Sequence, residues 1–296
     1  MKILLLGATG QVGWELARTL SLLGQVVTTS RSGNTDLHLD TGNLSTVGAM
    51  LDATAPDVIV NATAYTAVDK AESEPELAMR LNGEVPGVIG TWAANHGAMV
   101  IHYSTDYVFD GTKDGAYVEA DTPNPINVYG RTKLAGDEAL LASGCSVVIL
   151  RVSWVYGLRG SNFLLTMRRL MGERDELSIV DDQIGAPTWS RSIAQVTSLF
   201  LAHLPANLDA RKAISGVYHF APSGNTSWFG FATAIRDKLR LDCRLNPIPA
   251  SQYPTPAARP MNSCMNTQKL ELLLNIEPSS WVREMNLCLD GIPPKE

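Results

Sequence analysis

Tyr129 and Lys133 stand four residues apart in the segment Tyr129-Gly-Arg-Thr-Lys133. On a helix that spacing puts both side chains on one face. An ammonium beside a phenol lowers the phenol's pKa toward working pH, so the pair suits proton transfer. A second polar cluster, Ser104-Thr105-Asp106-Tyr107, follows an apolar run. A third signal is the loop Gly7-Ala-Thr-Gly10-Gln-Val-Gly13. Its first glycine permits a tight turn, its second lets backbone approach a pyrophosphate, and its third lets helix pack on strand. The helix N-terminus beyond it attracts phosphate charge. The spacing is GxxGxxG and not GxGxxG, so its weight comes from its place between a strand and a helix. Downstream, Ser30-Arg31 falls where a site for NAD usually carries an acidic residue. An arginine beside a serine suits a 2′-phosphate instead, which predicts that NADPH is used at least as well as NADH. Asp40 is placed to hydrogen-bond an adenine by its position alone.

Such residues need elements to hold them. Lys2–Leu6, Gln25–Ser30, Asp57–Val60, Ala98–Tyr103 and Ser146–Val152 read as strands, several of them continuous apolar runs. Gln11–Leu23, Leu44–Ala53, Pro75–Asn95 and Val128–Leu141 read as helices between them, the third disturbed around Gly83 and Pro86. Alternation of this kind implies βαβ units and an α/β fold, a Rossmann-like doubly wound parallel sheet. In such a sheet ligands bind beyond the C-terminal strand ends. The glycine loop, Asn61–Ala64, Ser104–Tyr107 and Trp154 all fall there.

The second half is less regular. Ile179–Pro187 reads as loop, Ser192–Leu204 and Ser227–Leu239 as helices, and Gly216–Phe220 as a strand. Five prolines between 246 and 260 make that stretch extended and not helical. The expected division is a dinucleotide-binding domain of 1–153 with about 191–221, and a smaller interleaved domain of about 154–190 and 222–296.

Composition narrows the class. The 296 residues are 45% hydrophobic and 18% charged, which suits a globular fold and not disorder. A net charge of −6 without a basic run argues against a nucleic-acid partner and against a membrane surface. The apolar N-terminal run is too short for an export signal and meets Gly7 at once. Four scattered cysteines without a CxxC pair read as reduced thiols. The expected location is the cytoplasm. The five histidines show no metal spacing and read as structural or surface residues.

Longer segments carry a resemblance. Gly7–Leu16 (GATGQVGWEL), Asp57–Glu76 (DVIVNATAYTAVDKAESEPE), His102–Phe109 (HYSTDYVF), Asn127–Gly136 (NVYGRTKLAG), Arg151–Tyr156 (RVSWVY), Asp182–Thr188 (DQIGAPT) and Tyr253–Ser263 (YPTPAARPMNS) span nearly the whole chain. Together they resemble the extended short-chain dehydrogenase/reductases, and within them the dTDP-4-dehydrorhamnose reductase family. The resemblance implies hydride transfer from NAD(P)H to the C4 ketone of a dTDP-4-keto-6-deoxy sugar. It implies Tyr129 as general acid, Lys133 on the nicotinamide ribose and tuning Tyr129, and Thr105 on the carbonyl oxygen. Gly7, Gly10, Gln11, Val12, Gly13, Ser30, Arg31, Asp40, Thr41, Ala62, Thr63, Ala64 and Tyr65 would join Tyr129 and Lys133 around the cofactor. Val68, Asp106, Tyr107 and Trp154 would line the sugar pocket, with Asn162 and Arg259 at the diphosphate end. Plainer readings stand beside these: Trp154 as core, Arg259 as an exposed charge, Asp106 as a turn cap.

The chain departs from the resemblance at one place. Some members of the family are dimers bridged by a divalent metal on glutamates. Glu15 stands at one such position, but Arg191 stands where those members carry the next glutamate. A cation there would repel a metal, so no metal is expected, and whether the chain forms a homodimer stays open. Two rivals remain. A GDP-sugar epimerase-reductase carries a cysteine where this chain has Asp106, and no cysteine lies near it in sequence. A regulatory subunit of the methionine adenosyltransferase type would share the fold without turnover.

Overall fold

The structure is a computed structural model that describes residues 1–291. In chain order its elements begin with β1 (Lys2–Leu6), α1 (Gln11–Thr19), β2 (Gln25–Ser30), β3 (Leu37–His38), α2 (Leu44–Thr54), β4 (Val58–Asn61), α3 (Val68–Ala71), α4 (Pro75–Met79) and α5 (Val85–His96). There follow β5 (Met99–Thr105), α6 (Val128–Ala142), β6 (Ser146–Val152), β7 (Val155–Tyr156), α7 (Phe163–Glu173), β8 (Glu176–Val180), β9 (Ile184–Gly185) and β10 (Thr188–Trp189). The chain continues with α8 (Ser190–Ala202), α9 (Leu208–Ala213), β11 (Gly216–Phe220), β12 (Thr226–Ser227), α10 (Trp228–Leu239), β13 (Arg244–Ile248), α11 (Gln268–Leu274) and α12 (Trp281–Asp290).

Seven strands form one sheet in the order β11-β6-β5-β4-β1-β2-β3, and every pairing in it is parallel. Side chains alternate across each strand, so both faces must be covered. Ile3 and Leu5 face a core with Leu16 and Leu20 beside α1 and with Ile193, Val196 and Phe200 of α8. Leu4 and Leu6 face the opposite core with Val47 and Leu51 of α2, Val85 and Ile89 of α5, and Leu140 of α6. Strand order reverses between β1 and β4, and an open α/β sheet leaves its ligand crevice at such a reversal.

A third core joins Leu164 and Met167 of α7, Leu177 and Ile179 of β8, Phe231 and Ile235 of α10, Leu245 of β13 and Met285 of α12. It gathers the later segments over the C-terminal edge of the sheet. Among the described residues no helix is long and apolar enough to cross a membrane.

Several sequence expectations are corrected. The first helix stops at Thr19 and tightens into a 3₁₀ turn at Leu20–Leu22. The stretch read as loop over 179–187 contributes the end of β8 and all of β9. The proline-rich stretch is extended, as expected, at β13, an edge strand that tolerates Pro247. It then makes a short helical turn at Ala250–Gln252. The disturbance near Gly83 is a π-turn over Arg80–Glu84, which inserts one residue into an otherwise α-helical run. Helix α7 has no counterpart among the sequence expectations. The last five residues of the expected 222–296 segment lie outside the described residues.

Candidate active site

The glycine loop adopts the geometry that its spacing requires. Gly7 has φ +82, and a Cβ there would lie 2.9 Å from the Ala62 carbonyl oxygen. A Cβ on Gly13 would lie 2.0 Å from the Gly7 carbonyl oxygen, so helix and loop touch backbone to backbone. The N-cap of α1 is Gly10, and no side chain caps the first amides. Those N–H groups therefore stay available to an anion.

Beside this loop opens a cleft of about 210 Å³. Of the expected cofactor residues, Gly7, Gly10, Ser30, Arg31, Thr41, Ala62, Thr63 and Ala64 line it. Thr9, Thr29, Ser32, Leu39 and Leu81 line it too and lie outside the expected set. Arg31 is exposed and makes no hydrogen bond or ion pair among the described residues. Ser30 is buried and donates its hydroxyl to the Ser32 carbonyl at 2.6 Å. Asp40 is not in the lining; it is exposed and accepts from the Gly42 amide at 3.0 Å. Gln11 and Val12 open α1, with Val12 packed on the first core. Tyr65 donates its amide to Asn82 Oδ1 and its hydroxyl to Glu74 at 2.6 Å.

The second part of the site is the start of α6. Asn127 caps that helix by accepting from the Gly130 amide at 2.7 Å, and its own amide donates to the Ala258 carbonyl. A Cβ on Gly130 would lie 2.1 Å from the Tyr107 carbonyl oxygen. That missing atom lets α6 lie against the turn after β5. It brings the rings of Tyr107 and Tyr129 edge to face at 5.9 Å.

Thr105 donates to Asp106 Oδ1 at 3.0 Å and accepts from the Tyr107 amide at 3.2 Å. Asp106 is 2% exposed, and its Oδ2 has no partner among the described residues. Burial lifts its carboxyl to about 7, against the pull of the Ser263 and Thr105 hydroxyls. Burial also holds the Tyr129 phenol well above its ordinary value, and the neighbouring Thr105 hydroxyl offsets only part of this.

Lys133 corrects one expectation. Its Nζ does not meet Tyr129. It donates to the Tyr103 carbonyl at 2.6 Å and lies 3.1 Å from His102 Nε2. The expected lowering of Tyr129 is therefore absent here. Burial lowers Lys133 itself to about 8, with Asp137 pulling the other way. Asp137 accepts from Ser104 at 2.8 Å and from Arg151 Nε at 3.4 Å, all of it buried. His102, read as merely structural, thus touches the lysine of the motif.

The later segments supply the far wall. Trp154 takes φ +45, rare for a bulky residue, and stacks face to face on Trp228 at 3.5 Å. A Cβ on Gly185 would strike the Trp154 ring at 2.5 Å. Val68 opens α3, and the next residue, Asp69, grips Arg259 through both guanidinium nitrogens at 3.1 and 2.8 Å. The arginine is therefore not a loose charge. Asn162 caps α7 and donates to Gln11 Oε1 at 2.8 Å, tying the far wall to the glycine loop. Asp69, Ser263, Trp228 and His102 have no functional role in the sequence reading. Asp69, Ser263 and His102 lie inside the quoted motifs, which is a usable signal; Trp228 has none. Cys264, remote from Asp106 in sequence, lies close enough for that carboxylate to help burial raise its thiol.

Glu15 is paired with Arg191, Nε to Oε2 at 3.2 Å. A carboxylate held by a guanidinium does not suit a shared divalent ion. Among the described residues no three His, Cys, Asp or Glu side chains converge as a metal cluster.

The RmlD substrate binding domain family matches residues 1–292. The dTDP-4-dehydrorhamnose reductase of Burkholderia thailandensis is 46% identical, with 98% of each chain covered. That of Escherichia coli K12 is 44% identical, with 92% of this chain and 91% of the relative covered. The crystal structure of dTDP-4-dehydrorhamnose reductase from Bacillus anthracis in complex with NADP superposes with a TM-score of 0.90, at 31% identity, over 98% of this chain and 99% of that one. With its glycine loop, its Thr105–Tyr129–Lys133 corner and these likenesses along its length, the chain belongs to the RmlD family of dTDP-4-dehydrorhamnose reductases.

Proposed function

We propose that the chain reduces the C4 ketone of dTDP-4-dehydro-6-deoxy-L-mannose to give dTDP-L-rhamnose, with NADPH used at least as well as NADH. The carrying observation is the close packing of the start of α6, which bears Tyr129, on the turn after β5, which bears Thr105, at the same sheet edge that opens the glycine-loop cleft. The dinucleotide, when bound, supplies the hydride. The chain's residues do the rest. Amides at the start of α1 and the guanidinium of Arg31 would hold phosphate charge. Tyr129, kept protonated by burial, is an acid with a proton to give to the alkoxide oxygen as it forms. The Thr105 hydroxyl would turn from Asp106 to that oxygen. Asp106, Tyr107, Val68 and Trp154 would surround the sugar, with Asn162 and Arg259 toward the diphosphate.

Residues 1–153 with 191–221 would form the cofactor half, and 154–190 with 222–296 the nucleotide-sugar half. The cytoplasm, which supplies NADPH, is the compartment this chemistry requires. Absorbance at 340 nm with NADPH and dTDP-4-keto-L-rhamnose tests the reading. Wild type should consume NADPH, and Tyr129→Phe should lose about 10²–10⁴-fold in kcat while still binding the cofactor. Full activity in that variant would remove Tyr129 from the acid role.

A further inference from the structure

A hydrogen-bonded chain runs behind the catalytic corner. The Thr63 amide donates to Asn61 Oδ1 at 3.1 Å, and the Thr63 hydroxyl donates to the same oxygen at 2.6 Å. Asn61 Nδ2 faces His102 Nδ1 at 3.2 Å, and His102 Nε2 faces Lys133 Nζ at 3.1 Å. Asn61, His102 and Lys133 are all within 1% of complete burial, so water cannot repair a mismatch.

The direction of this chain follows from its first donor. A backbone N–H can only donate, so Asn61 must present its oxygen to Thr63 and its NH₂ to the histidine. His102 Nδ1 must then accept and carry no proton. A neutral imidazole keeps its proton on the other nitrogen, so an N–H points at Lys133. A lysine that receives that N–H needs a lone pair. An ammonium would meet the histidine donor against donor. Turning Asn61 over moves the same clash to the Thr63 amide and does not remove it.

We propose that Asn61 and His102 are a positioning pair whose donor pattern opposes the charging of Lys133, so that its ammonium is held less tightly than that of an ordinary lysine. The inference rests on the reductase reading for its consequence in turnover, though not for its geometry. Lys133 faces His102 and Tyr103 on β5, Asp137 one turn along α6, and Arg151 on β6 behind Asp137. Asp137 favours the ammonium, and Arg151 weakens that pull by sharing the carboxylate. His102 itself stays uncharged, driven well below its ordinary value by burial and by Lys133. The lowering of Lys133 to about 8 agrees with this balance.

Activity that needs the ammonium should then fall on the alkaline side, with a midpoint near 8. Two substitutions would give Nζ an acceptor, the first with the chain still connected and the second with the link to Asn61 lost. In Asn61→Asp a carboxylate still accepts from Thr63 and also accepts a proton from Nδ1, so Nε2 becomes an acceptor for the ammonium. In His102→Gln the side-chain oxygen can turn to Nζ. Each should move the alkaline midpoint of kcat upward by about one pH unit, a tenfold change in proton affinity. A purely structural role predicts loss of kcat by one factor at every pH, with the midpoint unmoved.

Two measurements need no turnover: ¹⁵N shifts of the His102 nitrogens, and titration of Lys133 through its Cε carbon. In wild type, Nδ1 should be the bare nitrogen. In Asn61→Asp, Nδ1 should gain the proton and the Lys133 midpoint should rise. A protonated Nδ1 in wild type, or unmoved midpoints in a folded Asn61→Asp, overturns the proposal. Wild type that binds NADPH but reduces no dTDP-keto-sugar would instead defeat the reductase reading, leaving the two NMR measurements to decide this one.

Discussion

The candidate cofactor cleft and the Thr105–Tyr129–Lys133 corner share a sheet edge but use charge in opposite ways. At the cleft the chain offers backbone amides, small side chains and one exposed guanidinium, Arg31, without a partner among the described residues. At the corner, Lys133, Asp137 and Arg151 are buried and held by one another or by neighbouring polar groups. Removing one group at the cleft leaves nothing stranded. Removing one at the corner leaves an uncompensated buried charge, which costs far more than the pair contributed. The cleft should therefore tolerate substitution and report it as affinity, while the corner should report it as stability and pH dependence.

The largest test of this contrast is Asp137→Ala. It strands Arg151 and Lys133 and should cost about 3–5 kcal/mol in denaturant unfolding. A cost below about 1 kcal/mol would place the corner on the same footing as a surface pair. Next comes Asp106. Its folded carboxyl is raised to about 7, above its unfolded value, so the native state holds a proton there that the unfolded chain has released. Wild-type stability should accordingly fall as pH rises from about 4 to about 7 and level off above, by proton linkage. Asp106→Asn lacks that proton, so its Tm should gain on wild type across this window; parallel Tm curves would refute the shift.

Arg31→Ala probes the cleft. It should raise KM for NADPH about tenfold, leave NADH unchanged and leave Tm where it was. An equal rise for both dinucleotides would mean that Arg31 does not read the 2′-phosphate. The smallest effect belongs to the Glu15–Arg191 pair, whose arginine side chain is 46% exposed. Arg191→Ala should cost less than about 1 kcal/mol. EDTA should change neither mass nor activity in wild type, and dissociation by EDTA would show that a metal displaces this pair.

Legibility from sequence follows the same division. The sheet can be read because its strands are continuous apolar runs punctuated by glycine, and because backbone geometry at Gly7 and Gly13 forces residue type. Most of the cleft lining comes with those turns. The corner is legible only in its named triad. Where Lys133 points depends on a histidine 31 positions away and a strand pairing that brings Asn61 opposite His102, and no local pattern encodes either. The later segments are the hardest to read. Helix α7 and strand β8 form their core with partners as distant as Met285, and Trp154 finds its stacking partner in Trp228. Periodicity measures what a segment does with its own neighbours and is silent about such pairings.

The π-turn at Arg80–Glu84 has a meaning for anyone who would redesign this chain. It behaves as a one-residue insertion in a helix, and that insertion sets where Asn82 points. Asn82 grips Tyr65 through both its amide and its carbonyl, and it also donates to Thr132 on α6. Gly136 lacks a Cβ where one would sit 2.0 Å from the Asn82 carbonyl oxygen. Deleting Gly83 to restore a regular α-helix would rotate the helix before the deletion by about 100° relative to the helix after it. The edited helix would score better by every local propensity. It would also cut a strut shared by the cofactor loop and the helix that carries Tyr129 and Lys133. Ideality and activity are here competing specifications, separated by a single codon.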